Sequence, residues 1–186
     1  RHSTLFPYTT LFRSAGFWIA RQPLADKVIL DPAGIAAFNS GIESSLKLTE
    51  DLLGLGPVYF REELVASLSE DLQDLVVQKL YAGDGQRIGE PFYQRMEDEI
   101  NFEAIPSEIT VRYGFICRYA DERILPTDEI LTAEPGDSGF DELQNDSLDI
   151  GVPVAILHET RDGVWAYIHS QASSGWVKKE NIAFCT

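Results

Sequence analysis

The chain has 186 residues, 15 basic against 30 acidic, and a formal charge of −15 at neutral pH. That length holds one large or two small domains with real cores, and so negative a charge argues against nucleic acid or anionic membrane as a partner, since phosphates are repelled over a Debye length. No apolar run approaches the ~20 residues of a membrane-spanning helix, and two cysteines, three histidines and scattered glycines leave no metal spacing, phosphate loop or cofactor site.

Residues 1–14, RHSTLFPYTTLFRS, stand apart. Their last ten are what one reading frame of a common sequencing-library adapter encodes, so the segment reads as a cloning or assembly scar that has replaced the native start and any leader. It holds two arginines and no acid, which leaves 172 residues with 13 basic, 30 acidic and a net charge of −17.

Three amphipathic helices come next. Asp31-Pro32 is an N-cap with proline at the first helical position, and Ile35, Phe38, Ile42 and Leu46 recur behind it at helical spacing. A second helix is expected over residues 61–80, with Leu64, Leu68, Leu72, Leu75, Val76 and Leu80 on one side and acids on the other; Gly83-Asp84-Gly85 ends it. Pro91 opens a third, in which Phe92, Met96 and Ile100 share a face. These apolar stripes need a common partner, which they supply to one another and to the C-terminal part of the chain.

Ile105-Pro106-Ser107 marks a change of period, and from Ile109 the residues alternate, with Val111, Tyr113 and Phe115 on one face of a strand. A polar stretch over residues 121–149 reads as a long connection without regular structure, of the kind that serves as a binding loop. Then come a strand over Pro153-Val154-Ala155-Ile156-Leu157-His158, a tight turn at Arg161-Asp162-Gly163, and a strand over Val164-Trp165-Ala166-Tyr167-Ile168. A polar turn occupies residues 170–174. Gly175-Trp176-Val177, a helical turn over residues 178–181 and a last strand, Ile182-Ala183-Phe184, complete the chain. That order is the order of an SH3-like barrel. The expected fold is α+β, a small helical N-terminal segment over residues 15–105 packed on an SH3-like β-barrel with a long first loop over residues 106–186.

No active site emerges. A nucleophilic cysteine needs a helix N-terminus and a histidine base, whereas Cys117 falls within an apolar strand and Cys185 near the end. His158 and His169 read as satisfied strand residues, and acid pairs such as Glu62-Glu63 and Asp121-Glu122 as helix faces or loop tips. First and last barrel strands are neighbours, so Cys117 and Cys185 are either a disulfide or two buried thiols. Trp165 and Tyr167, two apart, share a face and, beside the acidic loop, suit a peptide or sugar-peptide. Trp176 reads as filling the barrel interior.

Several segments in order, Tyr113-Gly114-Phe115, Arg118…Asp121…Arg123, Leu125-Pro126-Thr127-Asp128, Phe140-Asp141, the run from Gly151 to Glu159, Asp162-Gly163-Val164-Trp165 and Gly175-Trp176-Val177…Ile182-Ala183, resemble the first bacterial SH3-like (SH3b) domain of NlpC-family cell-wall cysteine peptidases. Phe17-Trp18-Ile19, Asp31-Pro32 and Ile35-Ala36-Ala37-Phe38-Asn39 resemble the stabilising segment before that barrel. In that family a second SH3-like domain and a catalytic domain come after it, the latter with an Asp-Cys-Ser-Gly motif that this sequence lacks. The resemblance implies a non-catalytic N-terminal fragment of an envelope or secreted (periplasmic) peptidase cutting γ-D-glutamyl–diamino-acid bonds in peptidoglycan. Such a fragment scaffolds the enzyme and helps bind the stem peptide, its partners being that peptide and the missing SH3-like and catalytic domains. The expected substrate-binding residues are Asp121, Glu122, Arg123, Trp165 and Tyr167, with Asp121 or Glu122 pairing with the peptide's free amino group and Trp165 or Tyr167 packing on its body. The alternative is a stand-alone SH3-like module binding a peptide or wall polymer.

Overall fold

The computed structural model describes residues 14–185 apart from Ala25, Lys47, Leu48 and Ser138. The scar reading therefore lies outside the described residues, Ser14 excepted. The chain divides into two compact units, residues 1–44 and 45–186.

In the first unit, helix α1 (Ala15–Ile19) is capped by Ser14, whose side chain accepts from the Phe17 amide. Helix α2 (Pro32–Gly41) starts where the sequence dictates: Asp31 Oδ1 accepts from the Gly34 amide at 2.7 Å and Pro32 takes the first turn. The expected stripe does not become a buried face. Ile35 and Phe38 are exposed, and at Ile42 the chain leaves the α-helical path for a π-helical turn over Ile42–Leu46. There the backbone bonds span five residues instead of four, which breaks the α-helical spacing that Ile35 and Phe38 begin.

The second unit sets helices on one face of a sheet. Strand β1 (Val58–Phe60) leads into helix α3 (Arg61–Val76), and β2 (Tyr81–Ala82) separates it from helix α4 (Glu90–Ile100). The remaining strands are β3 (Glu108–Thr110), β4 (Arg112–Ile116), β5 (Ala120–Arg123), β6 (Leu131–Thr132), β7 (Gln144–Leu148), β8 (Pro153–Glu159), β9 (Trp165–His169), β10 (Ser174–Lys178) and β11 (Ile182–Phe184). Seven of these form an antiparallel sheet in the order β11-β4-β8-β9-β10-β5-β7. Two short ribbons, β1 with β3 and β2 with β6, stitch the helical part to the sheet.

One face of the sheet gathers Ile116, Ala120, Leu148, Val154, Ile156, Ala166, Ile168, Val177 and Ile182 into a core. Among the described residues no helix residue joins that cluster, yet Val154, Ile156, Ala166, Ile168 and Val177 are wholly buried. A flat sheet cannot cover its own face, so this one curls around it. The opposite, convex face carries Ala155, Leu157, Trp165, Tyr167 and Trp176, sealed by Leu64, Leu68, Leu72 and Leu75 of α3 and Phe92, Tyr93, Met96 and Ile100 of α4. Trp176 is thus a core residue, but on the helix side of the sheet. The concave core holds aliphatic side chains instead, because a tightly curled inner face leaves room only for small and branched ones.

Two other expectations change. Residues 121–149 are not without regular structure: they include the end of β5, then β6 and β7. Three of the four leucines there, Leu125, Leu131 and Leu143, are completely buried and hold the excursion against the main core, while Leu148 joins the concave one. Backbone bonds from Ile124 N to Leu143 O at 2.9 Å and from Glu142 N to Leu131 O at 2.8 Å close it on itself.

The cysteines form neither a disulfide nor a buried pair; both are free and exposed. Strands β4 and β11 are neighbours, with Ile116 opposite Ile182 and Gly114 opposite Phe184. But Cys117 bonds to Asn181 O and Cys185 to Tyr113 O, at opposite ends of that ladder. Four residues of strand separate them, about 13 Å, well past the ~7 Å a bridge tolerates between Cα atoms.

Candidate functional site

Strands β5 and β10 meet at Arg123 opposite Trp176, which turns Arg123 and, two residues back, Asp121 toward the convex side. Trp165 reaches the same place from the start of β9. The three line one open pocket with Tyr119, Asp128, Ile130, Asp141, Gln144, Lys178, Glu180 and Asn181.

A buried ion pair organises one wall. Arg123 Nη1 donates to Asp141 Oδ2 at 2.5 Å and Nη2 to the Glu129 carbonyl at 2.6 Å; the two side chains are only 7% and 16% exposed. Asp141 Oδ1 accepts from the amides of Leu131 at 3.2 Å and Leu143 at 3.0 Å. One carboxylate therefore fixes the guanidinium and both ends of the excursion. Arg123 Nε is buried and finds no partner among the described residues.

The second cation is also spoken for. Lys178 Nζ lies 2.7 Å from Asp128 Oδ2 and 5.4 Å from the centre of the Trp165 ring. Glu180 faces Arg118 at 3.9 Å. Among the described residues Asp121 has only the amide of Gln144, at 3.4 Å. The lining thus presents one carboxylate with no cation beside it, next to exposed Tyr119 and the edge of Trp165. Such a surface suits a ligand bearing a positive charge and an apolar body. Its lining contains no histidine, cysteine or serine, hence no nucleophile–base pair.

Glu122 and Tyr167 lie elsewhere. Glu122 alternates to the concave side and is wholly buried, its Oε1 accepting from Asn145 Nδ2 at 2.7 Å and its Oε2 from Ser173 Oγ at 3.0 Å. Burial pushes its carboxyl up to about 7, against the pull of those two hydrogen bonds. Tyr167 does share the convex face with Trp165, but it lies under α3, its hydroxyl 3.1 Å from Ser67 Oγ and 3.4 Å from Ser174 Oγ. Desolvation raises its phenol to about 12. Sequence reasoning missed Asp141, Asp128 and Lys178; pleat alternation from Trp176 would have placed Lys178 beside Trp165.

The remaining titratable candidates are occupied. His158 Nε2 donates to the Ile100 carbonyl at 2.7 Å, and burial lowers its basicity. His169 Nδ1 meets Glu50 Oε2 at 2.6 Å. Cys117 Sγ points at the Glu180 carbonyl, 3.8 Å away.

A curled antiparallel sheet of hairpin-linked strands ending in a helical turn and a short last strand defines an SH3-like module, here backed by helices. More narrowly, residues 132–178 match the family model of the SH3 domain of SH3b1 type, so the chain carries an SH3b1-type SH3 domain running from β6 to β10. Among solved structures the chain is similar to an NlpC/P60 endopeptidase from Photobacterium damselae subsp. piscicida. The TM-score is 0.62 at 18% identity, over 85% of this chain and 38% of that one. This chain therefore spans well under half the length of that protein, and at such identity the likeness bears on the fold. No curated protein matches the chain. The family match supports the SH3b module expected from the sequence, and the structural likeness supports its fold.

Proposed function

We propose that this chain is the non-catalytic, substrate-shaping part of a peptidoglycan cysteine peptidase of the NlpC type, working outside the cytoplasm. Residues 15–105 are its stabilising helical segment and residues 106–186 its SH3b part; a second SH3-like domain and the catalytic domain are its partners. The pocket of Asp121, Arg123 and Trp165 takes the end of a stem peptide. What carries this reading is the uncompensated carboxylate of Asp121 beside Trp165 and Tyr119, a pairing that suits a free amino group with an apolar residue behind it. Glu122 and Tyr167 hold the strands that present the pocket instead of touching the peptide.

The test is titration of the isotope-labelled chain with L-Ala-γ-D-Glu-diaminopimelate and with its N-acetylated form. Saturable shifts at the Trp165 indole and the Asp121 amide are expected with the free peptide, and weaker ones after acetylation. Equal response to both peptides, or none at millimolar concentration, would remove the pocket from the proposal.

A further inference from the structure

Glu122 is a buried acid that the pocket does not use. It stands opposite Asp146 at a register shift in the β5–β7 pair, where Asn145 is the extra residue. Asn145 Nδ2 donates both to Glu122 Oε1, at 2.7 Å, and to the Ser174 carbonyl, at 2.9 Å. Through Oε2 the same carboxyl holds Ser173 Oγ, which lies 2.9 Å from Ser170 Oγ in the turn between β9 and β10. One side chain thus ties the edge strand β7 to the far turn of its neighbour. Gly175 packs directly on it: a Cβ there would stand 2.8 Å from both Glu122 Cγ and the Arg123 carbonyl.

No cation answers this carboxyl among the described residues. Asp121 and Arg123, on either side of it in β5, turn to the other face, and Arg123 is held by Asp141. From β7 the charge that faces it is Asp146, also an acid. The turn over residues 170–173 and the stretch 174–177 of β10 bring no charged group. The ionised form therefore has two donors and no counter-charge. The neutral form can donate from Oε2 to Ser173 Oγ, which then turns its own proton toward Ser170. Both states are hydrogen-bonded, and burial favours the neutral one.

We propose that Glu122 is a proton-operated latch on the free edge of the sheet: neutral, it clamps β7 and the β9–β10 turn to β5; ionised, it lets that edge open. Since Asp121 and Arg123 flank it, the latch also tunes the pocket, and in that respect alone it rests on the pocket's role in binding. The sign comes from linkage. With the clamped carboxyl near 7 and the released one near its ordinary 4.5, the clamped state holds more protons between those values. Opening thus becomes easier as pH rises from about 5 to about 7 and levels off above.

Amide hydrogen exchange of residues 144–148 and 172–175, corrected for intrinsic rates and without ligand, tests this. Opening of that edge is expected to increase roughly ten- to a hundredfold from pH 5 to pH 7.5, with β8 and β9 unaffected. Glu122→Gln, which donates to Ser173 permanently, should abolish the dependence, and Asp146→Asn should move its midpoint lower. If Glu122→Gln does not fold, the carboxyl carbon shift of Glu122 in the native protein decides: a midpoint near 7 supports the latch and one near 4.5 overturns it. An edge whose opening is the same at both pH values, or a pH dependence that persists in Glu122→Gln, also overturns it. Because exchange is read without a ligand, failure of the latch and failure of peptide binding are separate results.

Discussion

The imidazole of His158 in β8 and the carbonyl of Ile100 at the end of α4 meet at 2.7 Å. A carbonyl only accepts, so Nε2 carries the proton and the ring is held in that tautomer. Arg161, in the same hairpin, adds its backbone amide to Glu99 O at 2.9 Å and its Nε to Asp98 O at 2.8 Å. Three successive carbonyls at the helix end, which have no partner within the helix, are thus capped from the sheet. Asn101, in the left-handed conformation at φ 57°, turns the chain away behind them.

This contact makes stability depend on pH. Burial keeps His158 neutral below its ordinary value of 6.5 in the folded state, so on acidification the unfolded chain takes the proton first and stability falls. From pH 7.5 to pH 5, His158→Gln should lose less stability than the parent protein in urea titrations at each pH. His158→Ala should cost about 2–3 kcal/mol at pH 7.5 through the cavity and the orphaned carbonyl.

Asp141 holds more than its ion pair. Removing it strands the buried guanidinium of Arg123 and frees the amides of Leu131 and Leu143. Asp141→Ala is expected to cost about 3–5 kcal/mol, whereas replacing the pair together, Arg123→Met with Asp141→Leu, should cost less than Asp141→Ala alone. Equilibrium denaturation of the three proteins checks the order.

Gly114 faces β11 too closely for any side chain. A Cβ there would lie 2.8 Å from the Ala183 carbonyl and 2.9 Å from Ile182 Cγ2. Gly114→Ala should destabilise by about 1–3 kcal/mol and expose the amides of residues 182–184 to exchange. Gly83→Ala, with nothing within 4 Å, should stay within about 0.5 kcal/mol of the parent.

Both cysteines are expected to react with a thiol reagent in the native, unreduced protein, giving two equivalents per chain, since both are free and exposed. Fewer than two would contradict the offset of Cys117 and Cys185 along the ladder.

Much of this architecture could be read from residue order. Asp31-Pro32, Leu64, Leu68, Leu72 and Leu75 of α3 and the Asp162-Gly163 hairpin each arise from local chemistry, and the structure places them where the sequence does; α3 ends at Val76, however, which is exposed, and Leu80 is buried beyond the helix. What stayed hidden is pairing between distant segments. Nothing local shows that Leu131-Thr132 meets Tyr81-Ala82, or that Leu143 returns to Ile124, so residues 121–149 read as structureless. The site was half legible for the same reason. Alternation pairs Asp121 with Arg123 and Trp165 with Tyr167, but only the pairing of β10 with both strands brings the two sets to one side, and the burial of Tyr167 is decided by α3, a hundred residues away at Ser67.

The sheet has two broad faces, and both are filled from within the chain, the concave one by its own aliphatic side chains and the convex one by the leucines of α3 and the aromatics of α4. The surface left open to a ligand therefore lies at the rim, where strand ends and connecting segments meet the solvent. Specificity there can drift by changing a few rim side chains while neither interior is touched, so related modules can diverge in what they grip and still keep the same scaffold.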